Sequence, residues 1–283
     1  MKKTGGHSGN LEYLKNQVTL INSRLEDVEH VDKVINKCDL IICCMGWTSH
    51  NEAINDPFYD LELNTKSHLY LISRLKNYPD KKVIYLGTRS QFGNQIKGMI
   101  YEDTRLDPCD VHGASKTLTE YYYKIYSKIY GFNIISLRIP ACFGLNQKTE
   151  GKDIGLLGYL IKNSLENKSI EIFGNKRKRN ILYIDDLTDI IFKISEQDLS
   201  GFLALNVRGT PVEIGYLARK IVDYTSLGKI VIKRLPEKIK AIDIGNAEMS
   251  DNKLKNIIGS FSYTDINLSL KKTIDYFKST IYD

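Results

Sequence analysis

The sequence predicts an α/β protein organised around a doubly wound parallel sheet and followed by a smaller α/β lobe. Three observations lead there. Short apolar runs alternate with amphipathic segments of helical period through the first half of the chain. The segments between most of these runs are long enough for the helical crossover that parallel strands require. After Gly144 this rhythm changes, which marks a second unit.

The elements follow in order. Residues 18–21 read as a strand, 28–36 as an amphipathic helix and 40–45 as a buried strand. A helix is expected over about 57–75, a strand over 83–86, a long helix over 111–130 and a strand over 134–138. Beyond Gly144, helix 156–166 precedes strand 170–173, and the segment 181–186 leads into another helix. Residues 203–207 read as a strand. Thr210-Pro-Val-Glu213 is predicted to open a helix, with Thr as N-cap, Pro at the first position and Glu at the third. An amphipathic helix over 268–277 ends the series.

Composition narrows the function classes. With 283 residues, 42% hydrophobic and 26% charged, the chain can bury a large core. No run approaches the apolar length of a membrane span, and the start lacks the apolar stretch of a secretory signal. A cytoplasmic location is expected. The five cysteines show no CxxC pair or His/Cys cluster, so they read as reduced core residues and no metal site is expected. Cys43 and Cys44, adjacent on a strand, would face opposite sides. The net charge of +6 suits anionic ligands. The one dense basic cluster, Lys176-Arg-Lys-Arg179, reads as a solvated loop, and nucleic-acid binding is not expected.

The chemistry-bearing residues lie in two segments, Tyr85-Leu-Gly-Thr-Arg-Ser-Gln-Phe-Gly93 and His112-Gly-Ala-Ser-Lys116. Thr88 falls at a strand end. His112 and Lys116 are four apart and share one face of the long helix. This set resembles the catalytic Ser/Thr…Tyr-x-x-x-Lys of the extended short-chain dehydrogenase/reductases, the NAD-dependent sugar-nucleotide epimerases and dehydratases. Other landmarks come in the family's order: Ile41-Ile-Cys-Cys-Met-Gly46, Asn64, Phe92-Gly93, Pro108, Leu137-Arg-Ile-Pro-Ala-Cys-Phe-Gly144, and Arg179-Asn-Ile-Leu-Tyr-Ile-Asp-Asp186. Gly46-Trp-Thr-Ser-His50, Gly87-Thr-Arg89 and Ile242-Asp-Ile-Gly245 are similar to an epimerase-like subgroup. His50 in that segment is worth watching as a further candidate, with a capping or core role the first expectation.

The resemblance implies a Rossmann-like sheet and a C-terminal substrate domain. Residues 1–145 would form the cofactor domain, 181–208 would return to it, and 146–180 with 209–283 would bind substrate. It implies Thr88, His112 and Lys116 at the catalytic positions. NAD or NADP would contact Gly46, Gly87, Lys116 and Pro140. A UDP-, dTDP- or similar nucleotide-sugar would contact Arg89, Ala141 and Arg179, with Arg179 on the diphosphate. The helix bearing Tyr122, Tyr126 and Tyr130 would form a homodimer interface, although its tyrosines are foremost core residues.

The chain departs from the family pattern at several positions. His112 replaces the tyrosine, Ala141 an asparagine and Met45 a small alanine. Arg89-Ser90 follow Thr88 where dehydratases carry Asp-Glu, which points to epimerase or simple oxidoreductase chemistry. Thr4-Gly-Gly-His-Ser-Gly9 has only three residues before it and aligns with the linker after the family's second strand. The glycine-loop βαβ half-unit is therefore expected to be missing, giving an N-terminally truncated sheet. Two functions remain open. One is an NAD(P)-dependent nucleotide-sugar epimerase or related oxidoreductase. The other is an inactive, truncated or degenerate homologue acting as a nucleotide-sugar-binding or protein-interaction module.

Overall fold

Four parallel strands form the main sheet of the computed structural model, which describes residues 11, 14, 16–96, 98–147 and 154–281. They are β1 (Leu40–Cys43), β2 (Lys82–Thr88), β4 (Asn133–Ile139) and β8 (Phe202–Asn206), in the order β1-β2-β4-β8. Register pairs Cys43 with Tyr85, Tyr85 with Ser136 and Ser136 with Ala204. Between β1 and β2 run α2 (His50–Asn55), α3 (Pro57–Leu61) and α4 (Ser67–Leu75), while α5 (Val111–Tyr130) links β2 to β4.

The period of two along β2 explains why both sheet faces are covered. Val83 and Tyr85 point to one side and join Val31 and Ile35 of α1 (Val28–Ile35), Leu71 and Leu75 of α4, and Tyr123 of α5. Ile84 points the other way, with Ile135 and Leu205. There it meets Leu187 and Ile190 of α7 (Ile184–Ser195) and Leu254 of α10 (Asn252–Ile258). This is the doubly wound α/β arrangement that the sequence predicts.

The second lobe is built on β5 (Ala141–Phe143), β7 (Lys178–Tyr183) and β9 (Thr210–Glu213), with β6 (Ser169–Phe173) and β10 (Lys229–Lys233) as a parallel pair. Its core packs α6 (Gly155–Leu165), α8 (Ile214–Thr225) and α11 (Ile266–Ile281) through Leu160, Leu217, Ile221 and Ile274. Short strands β3 (Met99–Ile100) and β11 (Glu248–Met249) form a separate parallel pair, and α9 (Glu237–Ala241) precedes β11.

Three local expectations are corrected. Residues 18–21 are irregular and exposed, with Leu20 at 60%. Their apolar character alone cannot make a strand, because none of them finds a ladder partner. They flank an apolar groove of about 570 Å³ along β1, lined by Ile21, Val31, Val34 and Ile42. Among the described residues nothing pairs with the outer edge of β1, and Ile42 there is 44% exposed.

Thr210–Glu213 is strand rather than helix start. It pairs antiparallel with β7 at the sheet edge, Pro211 opposite Asn180, and α8 begins only at Ile214. An edge strand tolerates a proline that a central ladder would reject. The expected helix over 57–75 is interrupted by a π-turn at Glu62–Lys66, and the short α2 precedes it. Cys43 is buried and Cys44 exposed, in keeping with opposite faces, and all five cysteines are free.

Candidate active site

The site forms where β1 and β2 end and α5 begins. Thr88 closes β2 and caps the 3₁₀ turn Arg89–Phe92. Its hydroxyl accepts from Ser90 N–H at 3.2 Å, while Gln91 Oε1 accepts from Thr88 N–H at 2.7 Å. Asp110 caps α5 by accepting from Gly113 N–H at 2.6 Å. Gly113 lets the helix approach the turn, because a Cβ there would lie 2.7 Å from the carbonyl oxygen of Ser90.

One turn along α5, Lys116 Nζ donates to the carbonyls of Leu86 at 3.1 Å and Met45 at 3.5 Å. It also lies 5.0 Å from the Tyr85 ring centre. Burial lowers its pKa to about 8. Gly46 sits over this ammonium: a Cβ there would come within 3.0 Å of Nζ and 2.7 Å of Asn64 Oδ1. Asn64, on the π-turn, is bound to both the N–H and the carbonyl of Trp47, so it fixes the loop that carries Gly46.

His112 is 4% exposed, and its Nδ1 faces Asn64 Nδ2 at 3.5 Å and Asp60 Oδ1 at 3.9 Å. Burial, with the neighbouring His50 and Lys116, pushes its pKa down to about 3. The ring is therefore a weak base at neutral pH. His50 packs edge-on against it, with ring centres 4.8 Å apart. His50 Nδ1 lies 3.0 Å from Asp110 Oδ2; the histidine side chain is 41% exposed and the aspartate wholly buried. Burial would raise the Asp110 pKa, but the hydrogen bond and charge of His50 outweigh it and hold the carboxyl below its ordinary value. The sequence had placed His50 in a capping or core role. Its partner, Asp110, lay unsuspected 60 residues away.

Beneath the site, His68 Nε2 donates to the Met45 carbonyl at 3.2 Å, so Nδ1 accepts from Tyr123 O–H at 3.2 Å. A second buried network joins Glu120 to Gln91, Ser136 and Arg138, with Arg138 NH2 2.5 Å from Glu120 Oε1.

On the side of the second lobe, Arg177 and Arg179 gather around one carboxylate, Asp243, and Arg89 lies close enough for its charge to be felt at Arg179. Both Arg177 and Arg179 donate to it, and Arg89 donates to the Ala247 carbonyl at 3.1 Å. Arg89 NH1 and Arg177 Nε are buried without a partner. Burial, together with the positive charges of Arg177 and Arg89, lowers the Arg179 pKa to about 9. The two arginines on Asp243 carry more positive charge than this one carboxylate balances. The basic cluster 176–179 is thus no solvated loop throughout: Lys176 and Lys178 are exposed, whereas Arg177 and Arg179 turn inward. Period two across the start of β7 was the signal that could have found Arg177.

Among the other predicted contacts, Gly87 makes room for Gln91, whose Oε1 would lie 2.6 Å from an added Cβ. Pro140 is buried against Gly209, and Ala141 is exposed at the start of β5. A cavity of about 740 Å³ lies on another side of α5, between Glu102, Arg138, Lys124 and Lys253, and none of the predicted site residues lines it. Among the described residues there is no cluster suited to a metal ion, and no helix is long and apolar enough to cross a membrane.

Fold and geometry together define a Rossmann-like α/β protein in which Thr88 closes a central strand and Lys116 lies beneath the end of its neighbour. Residues 2–207 match the model of the NAD dependent epimerase/dehydratase family, and the chain belongs to that family. A dTDP-D-glucose 4,6-dehydratase from Dictyostelium discoideum is 28% identical over 76% of this chain and 50% of its own length. A relative from Methanocaldococcus jannaschii is matched over 66% of its length, so the chain spans about half to two thirds of these relatives. Among solved structures, a UDP-N-acetylglucosamine 4-epimerase from Methanobrevibacter ruminantium superposes with a TM-score of 0.87 at 23% identity, covering 98% of this chain and 89% of that one. A UDP-glucose 4-epimerase from Thermotoga maritima gives 0.86 at 21%, covering 96% and 88%.

Proposed function

We infer that this chain binds a UDP- or dTDP-linked sugar and acts on it as an NAD(P)-dependent epimerase or related oxidoreductase. The observation that carries the reading is the convergence of Arg89, Arg177 and Arg179 next to Thr88. Buried guanidinium donors without partners match the oxygens of a diphosphate. Asp243 holds two of the arginines until a phosphate replaces it.

A nicotinamide dinucleotide would supply hydride acceptance and return. Lys116 would hold its ribose end, its ammonium lying beside Gly46, where the missing side chain makes room for the lysine and Asn64. Among the described residues no glycine-rich turn stands against β1 to cradle a pyrophosphate. The Thr88 hydroxyl keeps its own proton to donate to a sugar oxygen. Arg89 takes the place of a dehydratase carboxylate, which favours epimerisation or oxidation over loss of water. Exposed apolar side chains on α3 and α5, among them Phe58, Tyr121, Ile125 and Ile129, support a homodimer through these helices.

A second reading, a nucleotide-sugar-binding module without catalysis, is favoured by the inward-facing His112. Calorimetric titration with UDP-glucose and dTDP-glucose, followed by assay for NADH and for sugar products, separates the two. Binding should be micromolar and weakened about 10- to 100-fold by Arg179→Ala. Equal affinity of the wild type and the variant would refute the diphosphate site. Binding with no turnover in the presence of NAD would leave the module.

A further inference from the structure

The geometry points to His50, oriented by Asp110, as the acid–base group that exchanges a proton with a hydroxyl of the bound sugar. This inference rests on the enzymatic reading above and assigns the proton to a residue outside the Thr88/His112/Lys116 set.

The argument starts from what each atom can do. A carboxylate only accepts, so the 3.0 Å contact with Asp110 places the hydrogen of His50 on Nδ1. Nε2 then carries the lone pair. Asp110 has no solvent to turn towards: its side chain is wholly buried and its other oxygen is held by Gly113 N–H at 2.6 Å. The imidazole is thereby fixed in one tautomer, and the imidazolium formed on proton uptake faces a buried negative charge. Its ring is 41% exposed, whereas His112 beside it is 4% exposed and directs Nδ1 at Asn64 and Asp60. Only His50 of the two can present a nitrogen to a ligand.

The position is also suitable. His50 opens α2 immediately after the loop Met45–Ser49, and the same loop holds Gly46 over Lys116. Ser49 caps the helix, accepting from Glu52 N–H at 3.4 Å, so the ring is carried on a fixed backbone. The titratable groups facing the ring from α5 are Asp110 and His112; Asp60 of α3 and Lys116 stand behind His112. In the forward step the sugar O–H bond breaks and its proton moves to His50 Nε2. The carbon bears the new C=O bond, and its hydride leaves to a nicotinamide dinucleotide as co-reactant. The reverse step returns both.

The test combines reactivity with kinetics on the full chain. Diethyl pyrocarbonate labelling is mapped by mass spectrometry with and without UDP-glucose, and turnover of UDP-glucose with NAD is measured for wild type, His50→Gln, Asp110→Asn and His112→Gln. Asp110→Asn retains an oxygen to cap α5, so it separates the dyad from folding. UDP-glucose at ten times its Kd should slow labelling of His50 by about tenfold. His50→Gln should lower kcat by about 10² to 10⁴ with KM changed less than about threefold. Asp110→Asn should lower kcat in the same sense, and His112→Gln should lower it far less. Tight UDP-glucose binding that leaves His50 labelling unchanged would overturn this inference alone. Absence of binding would overturn the proposed function, and the role of His50 with it.

Discussion

Asn64 holds the backbone of Trp47 from both sides, its Oδ1 accepting from the Trp47 N–H at 3.0 Å and its Nδ2 donating to the carbonyl at 2.9 Å. The same amide donates to Asp60 at 2.7 Å. Asn64→Ala would remove three buried hydrogen bonds at once. The expected loss is about 2–4 kcal/mol, read from urea denaturation at neutral pH. A change below about 0.5 kcal/mol would show that the loop is held by other contacts.

Gly46 gives a second, sharper probe of the same region. Gly46→Ala brings a methyl to within 2.7 Å of Asn64 Oδ1 and 3.0 Å of Lys116 Nζ, so one of them must move. A loss of about 1–3 kcal/mol is expected from overpacking. If NAD binds here, its affinity should fall in parallel in a fluorescence titration. Unaltered stability would mean that the lysine swings aside freely.

Glu120 and Arg138 form a buried ion pair whose remaining donors come from Gln91 and Ser136. Removing one member strands the other charge. Arg138→Leu is expected to cost about 3–5 kcal/mol, whereas Arg138→Leu combined with Glu120→Leu should cost less than the single change. A double-mutant cycle in denaturant with zero coupling would contradict the pairing.

The buried histidines set the acid side of the stability profile. His68 and His112 are both held near a pKa of about 3, each by burial first, against an ordinary value of 6.5. The folded state keeps them neutral while the unfolded chain takes up protons below about pH 6.5. Their contribution is therefore complete above that pH and is lost as pH falls from about 6.5 towards 3. The slope is up to about 1.4 kcal/mol per pH unit for each proton. Burial raises the Asp60 pKa, which opposes part of the loss below the midpoint. Denaturation midpoints between pH 7 and 4.5 should fall, and His112→Asn should flatten the curve. An unchanged slope in that variant would mean that His112 is accessible to protons in the folded state.

Asp243 neutralises two arginines that the proposed diphosphate needs. Asp243→Asn should therefore strengthen binding of UDP at low salt and increase its salt dependence. Calorimetry at two ionic strengths distinguishes this from a structural role, in which the variant would bind UDP more weakly and melt earlier.

Much of the frame was readable in one dimension. Val83, Ile84 and Tyr85 alternate because both faces of β2 are buried. The span Val111–Tyr130 is bracketed by Asp110 as N-cap and Gly131 in the left-handed conformation at its end. Thr88 and Lys116 could be located from their spacing to a strand end and a helix start. Where local signals stood alone they misled. Thr210-Pro-Val-Glu213 carries the marks of a helix cap, yet β7 supplied a ladder and made it an edge strand. Residues 18–21 carry the marks of a strand, and no described neighbour supplied one.

The sequence by itself therefore determined the layered sheet, the long helix and the positions of Thr88 and Lys116, since each depends on periodicity or on capping within a few residues. Tertiary structure decided which charges meet. His50 and Asp110 are 60 positions apart, and Asp243 reaches Arg177 and Arg179 across 66 and 64. Chain order does not encode such partners, because burial selects among many polar residues the few that satisfy one another. That selection turned His112 inward and left the His50 side chain 41% exposed.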